Sequence, residues 1–252
     1  MSSVFAAAKI NLALHVTGRR ADGYHLLDSA VMFAAGAGDV LTIAPAGHTA
    51  LTITGPFGDG LETGSGNLVL RAVAALEAEC PGMVSPCHIT LEKNLPVASG
   101  IGGGSADAAA ALKAVIGFND LDIAAHRLAE LALKLGADVP VCLRSTACRM
   151  SGIGEDIEAW SDAPPLHAVL VNPLVGVSTA AIFKALALTP GESAGTDMGA
   201  MPAAPGCLDW LNRCRNDLQP AACALQPVIG EVLDALAVTP GCRLARMSGT
   251  TI

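Results

Sequence analysis

Pro96 to Ala111 reads PVASGIGGGSADAAAA, and its residue types point to one chemistry. Gly100, Gly102, Gly103 and Gly104 lead into Ser105 and then into an alanine run that predicts a helix from Ala106 to about Ile116. Glycine lets backbone N–H groups converge at dihedral angles other residues resist, and a helix start adds unpaired donors and the positive end of its dipole. Such a loop binds anions, phosphate above all. Two charges elsewhere are also candidates. Lys9, in VFAAAKINLALHV, places an ammonium in an otherwise apolar strand; Asp138, in LGADVPV, follows a predicted helix end in a turn locked by Pro140. A lysine on an edge strand facing water and an ordinary turn aspartate are the plainer readings of the pair.

Known phosphate loops sort the glycine run. A P-loop needs Gly-Lys-Ser/Thr, and here Ser105 follows Gly104 without a lysine; a dinucleotide fingerprint follows an early βαβ strand and has an acid about twenty residues on. Neither fits, and a mere connecting turn capped by Ser105 does not need four glycines in five residues. The pattern resembles the loop of the GHMP small-molecule kinases (galactokinase, homoserine kinase, mevalonate kinase), written P-x-x-x-G-L-G-S-S-A. More narrowly it resembles the erythritol kinases of that family, whose loop carries extra glycines. Ala106 departs from the pattern where a second serine is usual, removing one hydroxyl contact and keeping the backbone donors.

The elements that must position these groups follow from periodicity. Val4 to Val16 reads as a strand with Lys9 and Asn11 on one face, and the turn Ala21-Asp22-Gly23 returns the chain into a second strand from Tyr24, forming a hairpin. Val40 to Ala44 and Leu51 to Thr54 read as another hairpin. Asn67 caps a helix running to about Glu79 with a stripe of Leu68, Leu70, Val73 and Leu76. His88 to Leu91 is a short strand leading to the loop, and Ile123 to Leu135 is a helix closed by Gly136. The first lobe ends around Gly152 and Gly154; a strand at Leu166 to Val171, a helix at Ser178 to Leu188, a flexible surface loop at 190–205 and a helix at Leu225 to Ala237 complete the reading.

Composition bounds the rest. With 52% hydrophobic and 15% charged residues the chain can bury a large core, in one or two domains. A net charge of −8 argues against a nucleic-acid surface. The eight cysteines have no C-x-x-C spacing and read as reduced thiols of a cytoplasmic protein. No basic region precedes the first apolar residues, which predicts no signal peptide. Ala163 to Phe183 lacks charges but contains Pro164, Pro165 and Pro173, which would leave backbone groups unpaired in lipid, so no membrane span is expected.

The resemblance covers nearly the whole chain through five runs in order: AKINL, RADGYH, PVASGIGGGSADAA, LGADVPV and STAAIFK. It implies an α+β two-lobed fold, with a lobe like domain 2 of ribosomal protein S5 over 1–155 that binds ATP, a ferredoxin-like substrate-side lobe over 156–252, and the site between them. It implies ATP-dependent phosphorylation of the 2-hydroxyl of 4-diphosphocytidyl-2-C-methyl-D-erythritol in the non-mevalonate route to isoprenoid precursors. Asp138 would be the catalytic base and Lys9 its partner at the phosphoryl. Pro96, Val97, Ala98, Ser99, Gly100, Ile101, Gly102, Gly103, Gly104, Ser105 and Ala106 would form the ATP loop, with Asn67 beside the nucleotide and Lys93 along the adenine. Asn67 as a plain N-cap and Lys93 as a solvated lysine remain open. Asn11, Tyr24, His25, Thr179 and Phe183 would bind substrate, Tyr24 and Phe183 sandwiching the cytosine while His25 reads its edge. Magnesium should accompany ATP, with Ser105 its candidate protein ligand. A monomer or weak homodimer without nucleic-acid or membrane partners is expected. Another GHMP kinase is the rival enzyme, disfavoured by RADGYH; a silent metabolite sensor is the rival class, disfavoured by retention of both Lys9 and Asp138. The final run Arg246-Met247-Ser248-Gly249-Thr250 resembles the start of the family's third glycine motif, which normally continues into a closing strand, so an incomplete closure on the nucleotide side is expected.

Overall fold

Small alternating side chains make the first strand. In Ser2–Arg19 (β1) the residues from Ala8 to Val16 are mostly buried, and the strand carries its polar exceptions, Lys9, Asn11 and His15, inside as well. The turn after it has Gly23 at φ 97°, with the Gly23 N–H bonded to the Arg20 carbonyl at 3.0 Å, and the chain returns as His25–Pro45 (β2), paired with β1. The structure is a computed structural model that describes residues 2–249. Its chain divides into two compact units, neither continuous in sequence. The described residues of the first lie in Met1–Lys9, Phe33–Val97 and Gly102–Ser145; those of the second lie in Ile10–Met32, Ala98–Ile101 and Thr146–Ile252. A linear boundary at 155/156 therefore falls inside the second unit, and both long strands belong partly to each.

In the first unit, Cys87–Glu92 (β4) runs antiparallel to the end of β2, with Val40 opposite Glu92 and Pro45 opposite Cys87, and parallel to Ala50–Thr54 (β3), with Ala50 opposite His88. The expected hairpin between Val40–Ala44 and Leu51–Thr54 does not form, because β4 takes the place between them. The link from β3 to β4 passes through Leu68–Glu79 (α1), as a parallel neighbour requires. Asn67 caps α1, its Oδ1 accepting the Val69 N–H at 2.9 Å, and Val69, Ala72, Val73 and Leu76 form the buried stripe. Gly103–Asn119 (α2) is apolar nearly all round from Ala106 to Leu112 and is packed against α1 and against Val139–Arg144 (α4); alanine makes that close approach possible. Between α2 and α4 lies Ala125–Leu135 (α3), stopped at Gly136 by a bond from its N–H to the Ala132 carbonyl.

In the second unit the start of β2 pairs antiparallel with Cys148–Gly152 (β5), Leu27 opposite Gly152, and β5 pairs with Asp156–Ala159 (β6). Helices Thr179–Ala185 (α5), Cys207–Arg213 (α6), Gln219–Leu225 (α7) and Val228–Ala237 (α8) follow. Trp160 and Trp210 meet edge to face at 5.8 Å inside one apolar cluster, each indole N–H satisfied by a carbonyl, of Pro202 and Met198 respectively. Three expectations change here. Residues 166–171 form no strand, and Val169 is 78% exposed; an apolar run becomes a strand only where another strand offers it a ladder. The helix expected over Leu225 to Ala237 starts only at Val228, after Pro227; Leu225 instead ends α7, which Pro227, lacking an N–H, cannot continue. Residues 190–205 are irregular yet fastened: the Gly191 and Ala194 N–H groups bond the Arg19 and Thr17 carbonyls, and the Met198 N–H donates to Asp28, whose carboxylate also takes a bidentate Arg149 at 2.7 Å. No described helix is long and apolar enough to cross a membrane.

Candidate functional site

The glycine run does its work by backbone shape. Ala98, Gly100 and Gly102 all have left-handed φ, at 54°, 69° and 67°, a repeated reversal of the kind that turns successive N–H groups to one side. Ala98 has no glycine's freedom and holds this angle at a cost of about 1–2 kcal/mol, strain of the sort kept where a loop must present itself to a ligand. The N-cap of α2 is Gly102, not Ser105, which lies in the first helical turn; a glycine has no side chain to satisfy the turn's donors. The first intrahelical bond is from the Ala106 N–H to the Gly102 carbonyl at 2.8 Å, so the amides of Gly103, Gly104 and Ser105 precede the ladder. Ala106, where a second serine was the expectation's norm, is buried.

Lys9 lies under this helix start. It is 4% exposed, and a Cβ built on Gly102 would stand 3.2 Å from the Lys9 Cβ and 3.4 Å from its Cε. Its Nζ reaches the Asp138 carboxylate at 2.8 Å, while the Asp138 side chain keeps 37% of its surface. Asp138 is the residue before α4, with Pro140 in the first turn, so the helix start rather than a free turn fixes it. A buried ammonium, a half-open carboxylate and the N-cap of α2 are thus brought together within one unit. Cys142, one turn into α4, feels the charges of Lys9 and Asp138, but burial dominates and pushes its thiol up to about 12, which leaves it inert as a nucleophile.

Lys93 differs from both sequence readings. It is buried, with its Nζ 2.8 Å from the Asp107 carboxylate and in a very short contact with that of Asp39. Burial works against its charge, yet the two carboxylates outweigh it and raise its pKa. Asp107 is pushed up to about 7, chiefly by burial and against the pull of Lys93; its Oδ1 is buried without a partner. Asn67 has both ends of its amide engaged, Oδ1 as the α1 cap and Nδ2 on the Glu62 carbonyl at 2.7 Å. Sequence reasoning missed Asp39 and Asp107. A single acid inside an alanine run, and one just before the apolar strand VLTIA, were the signals available.

The second unit gathers all five expected substrate residues, Asn11, Tyr24, His25, Thr179 and Phe183. Asn11 is buried: its Nδ2 donates to Ser29 Oγ at 2.6 Å, Ser29 passes the bond to the Ala13 carbonyl at 2.7 Å, and the Asn11 N–H donates to Ser248 Oγ at 3.0 Å. The Asn11 Oδ1 is left buried without a partner. His25 stacks on Phe183 at 4.5 Å between centroids and 25° between planes. Burial and the nearby Arg19 lower the His25 pKa, and its Nε2 is buried without a partner. Tyr24 is 62% exposed. Thr179 opens α5. The final glycine motif packs on the loop: Gly249, at φ 73°, would place a Cβ 2.1 Å from the Gly100 carbonyl oxygen, and Asn216 Nδ2 holds the Met247 and Gly249 carbonyls. Thr250 of that motif lies outside the described residues.

A family model described as "GHMP kinases N terminal domain" matches residues 67–146. The 4-diphosphocytidyl-2-C-methyl-D-erythritol kinase of Agrobacterium fabrum (strain C58) is 52% identical, over 97% of this chain and 83% of its own. A crystal structure of 4-(cytidine 5'-diphospho)-2C-methyl-D-erythritol kinase superposes with a TM-score of 0.75 at 32% identity, over 93% of this chain and 82% of its own. Homoserine kinase from Cytophaga hutchinsonii, at 18% identity and a TM-score of 0.61, shares the fold over 98% of this chain and 82% of its own.

Proposed function

Because the chain belongs to the GHMP kinases, within the family of 4-diphosphocytidyl-2-C-methyl-D-erythritol kinases, we propose that it transfers the γ-phosphoryl group of ATP to the 2-hydroxyl of 4-diphosphocytidyl-2-C-methyl-D-erythritol. The observation that carries the reading is the ion pair of Lys9 and Asp138 beneath the N-cap of α2. Phosphoryl transfer passes through a loose transition state with charge on the equatorial oxygens, so the protein's task is to place groups and to neutralise that charge. The amides of 103–105 and the dipole of α2 hold the phosphates. Lys9 keeps the Asp138 carboxylate oriented and its ammonium close to the transferred group, and Asp138, open on one side, accepts the hydroxyl proton as the oxygen attacks.

Tyr24 presents its ring to the cytosine, and the orphaned Nε2 of His25 meets the polar edge of the base. The orphaned Oδ1 of Asn11 is aimed by Ser29 and accepts from a donor on the substrate. Thr179 and Phe183 complete that side. Residues 1–155 then carry mainly the nucleotide and 156–252 the substrate, with 10–32 joining the latter. Among the described residues no three His, Cys, Asp or Glu cluster as a metal site; magnesium, which keeps much of its shell as water and phosphate oxygen, would take Ser105 alone from the loop and neutralise phosphate charge. We assign the protein to the cytoplasm, as a monomer or weak homodimer. An ADP-release assay tests the reaction: turnover with the cytidylyl substrate and none with homoserine or mevalonate is expected, and preference for either alcohol would overturn it.

A further inference from the structure

The loop that reads as a phosphate cradle has two stems, Asn94-Leu95 before Pro96 and the first turns of α2 after Gly102. Both stems meet at one buried carboxylate pair. Asp39 Oδ1 accepts the Asn94 N–H at 2.6 Å and the Leu95 N–H at 2.8 Å, while its Oδ2 takes the Lys93 ammonium. Lys93 Nζ extends to Asp107 Oδ2 on α2 at 2.8 Å. A Cβ added at Gly103 would lie 3.5 Å from Lys93 Nζ and 3.8 Å from Asp39 Oδ2, so these charges sit directly against the first helical residue. All of these residues belong to the first unit.

We propose that Asp39, Lys93 and Asp107 form a buried clasp that joins the two stems of the phosphate loop and fixes the direction of its amides, which makes Lys93 a positioning residue for ATP rather than a group lying along its base. A lysine and two carboxyl groups buried in a largely aliphatic surround are a poor source of stability, because desolvation offsets their attraction and apolar residues of similar size hold a core as well. They are an effective source of geometry. Charge-assisted bonds are short and directional, and here each one ends on a loop stem or on its neighbour. The clasp also accounts for a lysine and an acid fourteen residues apart, on opposite sides of the loop, pointing at the same place.

The inference rests on the kinase reading for its nucleotide and is tested by direct binding, which needs no turnover. Asp107→Asn keeps the side-chain shape, Lys93→Met keeps the stem without the charge, and Lys93→Arg keeps the charge. For each, the calorimetric Kd for ATP, the KM values for ATP and the cytidylyl substrate, and the Tm are measured. Asp107→Asn and Lys93→Met are expected to weaken ATP by about ten- to a hundred-fold in Kd and KM together, with the cytidylyl KM unchanged, and Lys93→Arg to recover most of the loss. Folded variants with wild-type Kd, or equal losses for both substrates that follow Tm, would overturn the clasp. If Lys93→Met does not fold, Asp107→Asn carries the decision. Wild-type protein that binds ATP but releases no ADP with the cytidylyl substrate would remove the reaction and leave the clasp to be decided by Kd; wild-type protein that binds no ATP overturns both.

Discussion

Replacing Gly102 by alanine strikes the place where the start of α2 and the candidate catalytic pair meet. Two penalties can be worked out. Gly102 has φ 67°, and an L-residue there costs about 1–2 kcal/mol. The new methyl would also stand a tight 3.2 Å from the Lys9 Cβ, which the β1 backbone fixes, and 3.4 Å from its Cε, next to the ammonium that pairs with Asp138. In stability the backbone cost is modest: at about 2–4 °C per kcal/mol for a chain of this size, it should lower Tm by roughly 2–8 °C. In activity it is not, because a displacement on the order of 1 Å at reacting groups can cost about a hundred-fold. Expected, then, is a kcat lower by about ten- to a hundred-fold in a folded protein, read by ADP release with melting followed in parallel. Gly117→Ala, later in α2 with open space around its Cβ, is the control and should keep kcat while raising Tm slightly. A Gly102→Ala variant with wild-type kcat would refute the argument that Lys9 is held in place by the helix start.

Three further outcomes are expected. Tyr24→Ala should raise KM for the cytidylyl substrate by about ten- to a hundred-fold and leave KM for ATP unchanged, with Tyr24→Phe much milder, since stacking on a ring is worth about 1–3 kcal/mol per base; equal effects on both substrates would make Tyr24 an ordinary surface ring. Ser29→Ala should also act on the cytidylyl KM alone, through loss of the bond that orients the Asn11 amide, and a wild-type value would release Asn11 from that dependence. Burial lowers the pKa of His15, whose neutral ring accepts the Arg215 N–H at Nε2 and faces the Thr196 carbonyl at Nδ1. The unfolded chain therefore binds that proton more readily, stability is complete above about pH 6.5 and falls as pH drops below it, and His15→Gln should flatten the decline of Tm between pH 7 and 5; parallel slopes would exonerate His15.

What could be read in the residues was what a short stretch decides by itself. The glycine run, the Asn67 cap, the Gly136 stop and the turn at Gly23 are local, and so was the oddity of Lys9 in an apolar strand. Partners distant in sequence were not legible. The hairpin expected at Val40–Thr54 gave way to β4, inserted from more than thirty residues on, because strand order depends on which edges are free rather than on which strands are consecutive. Lys93 read either as lying along the adenine or as solvated, for want of any sign that Asp39 and Asp107 converge on it. Ser105 looked like a cap because serine usually is one; the left-handed Gly102 took that position and freed the serine for the first turn.

Asp138→Asn tests the central claim most directly. The substitution keeps the shape beside Lys9 and leaves the loop from Pro96 to Ala106 untouched, while removing the carboxylate proposed to accept the hydroxyl proton. The account predicts that kcat with the cytidylyl substrate falls by about a hundred- to ten-thousand-fold, with the calorimetric Kd for ATP unchanged. Near wild-type turnover in that variant would contradict it, and catalysis would then rest on Lys9 and the loop amides alone.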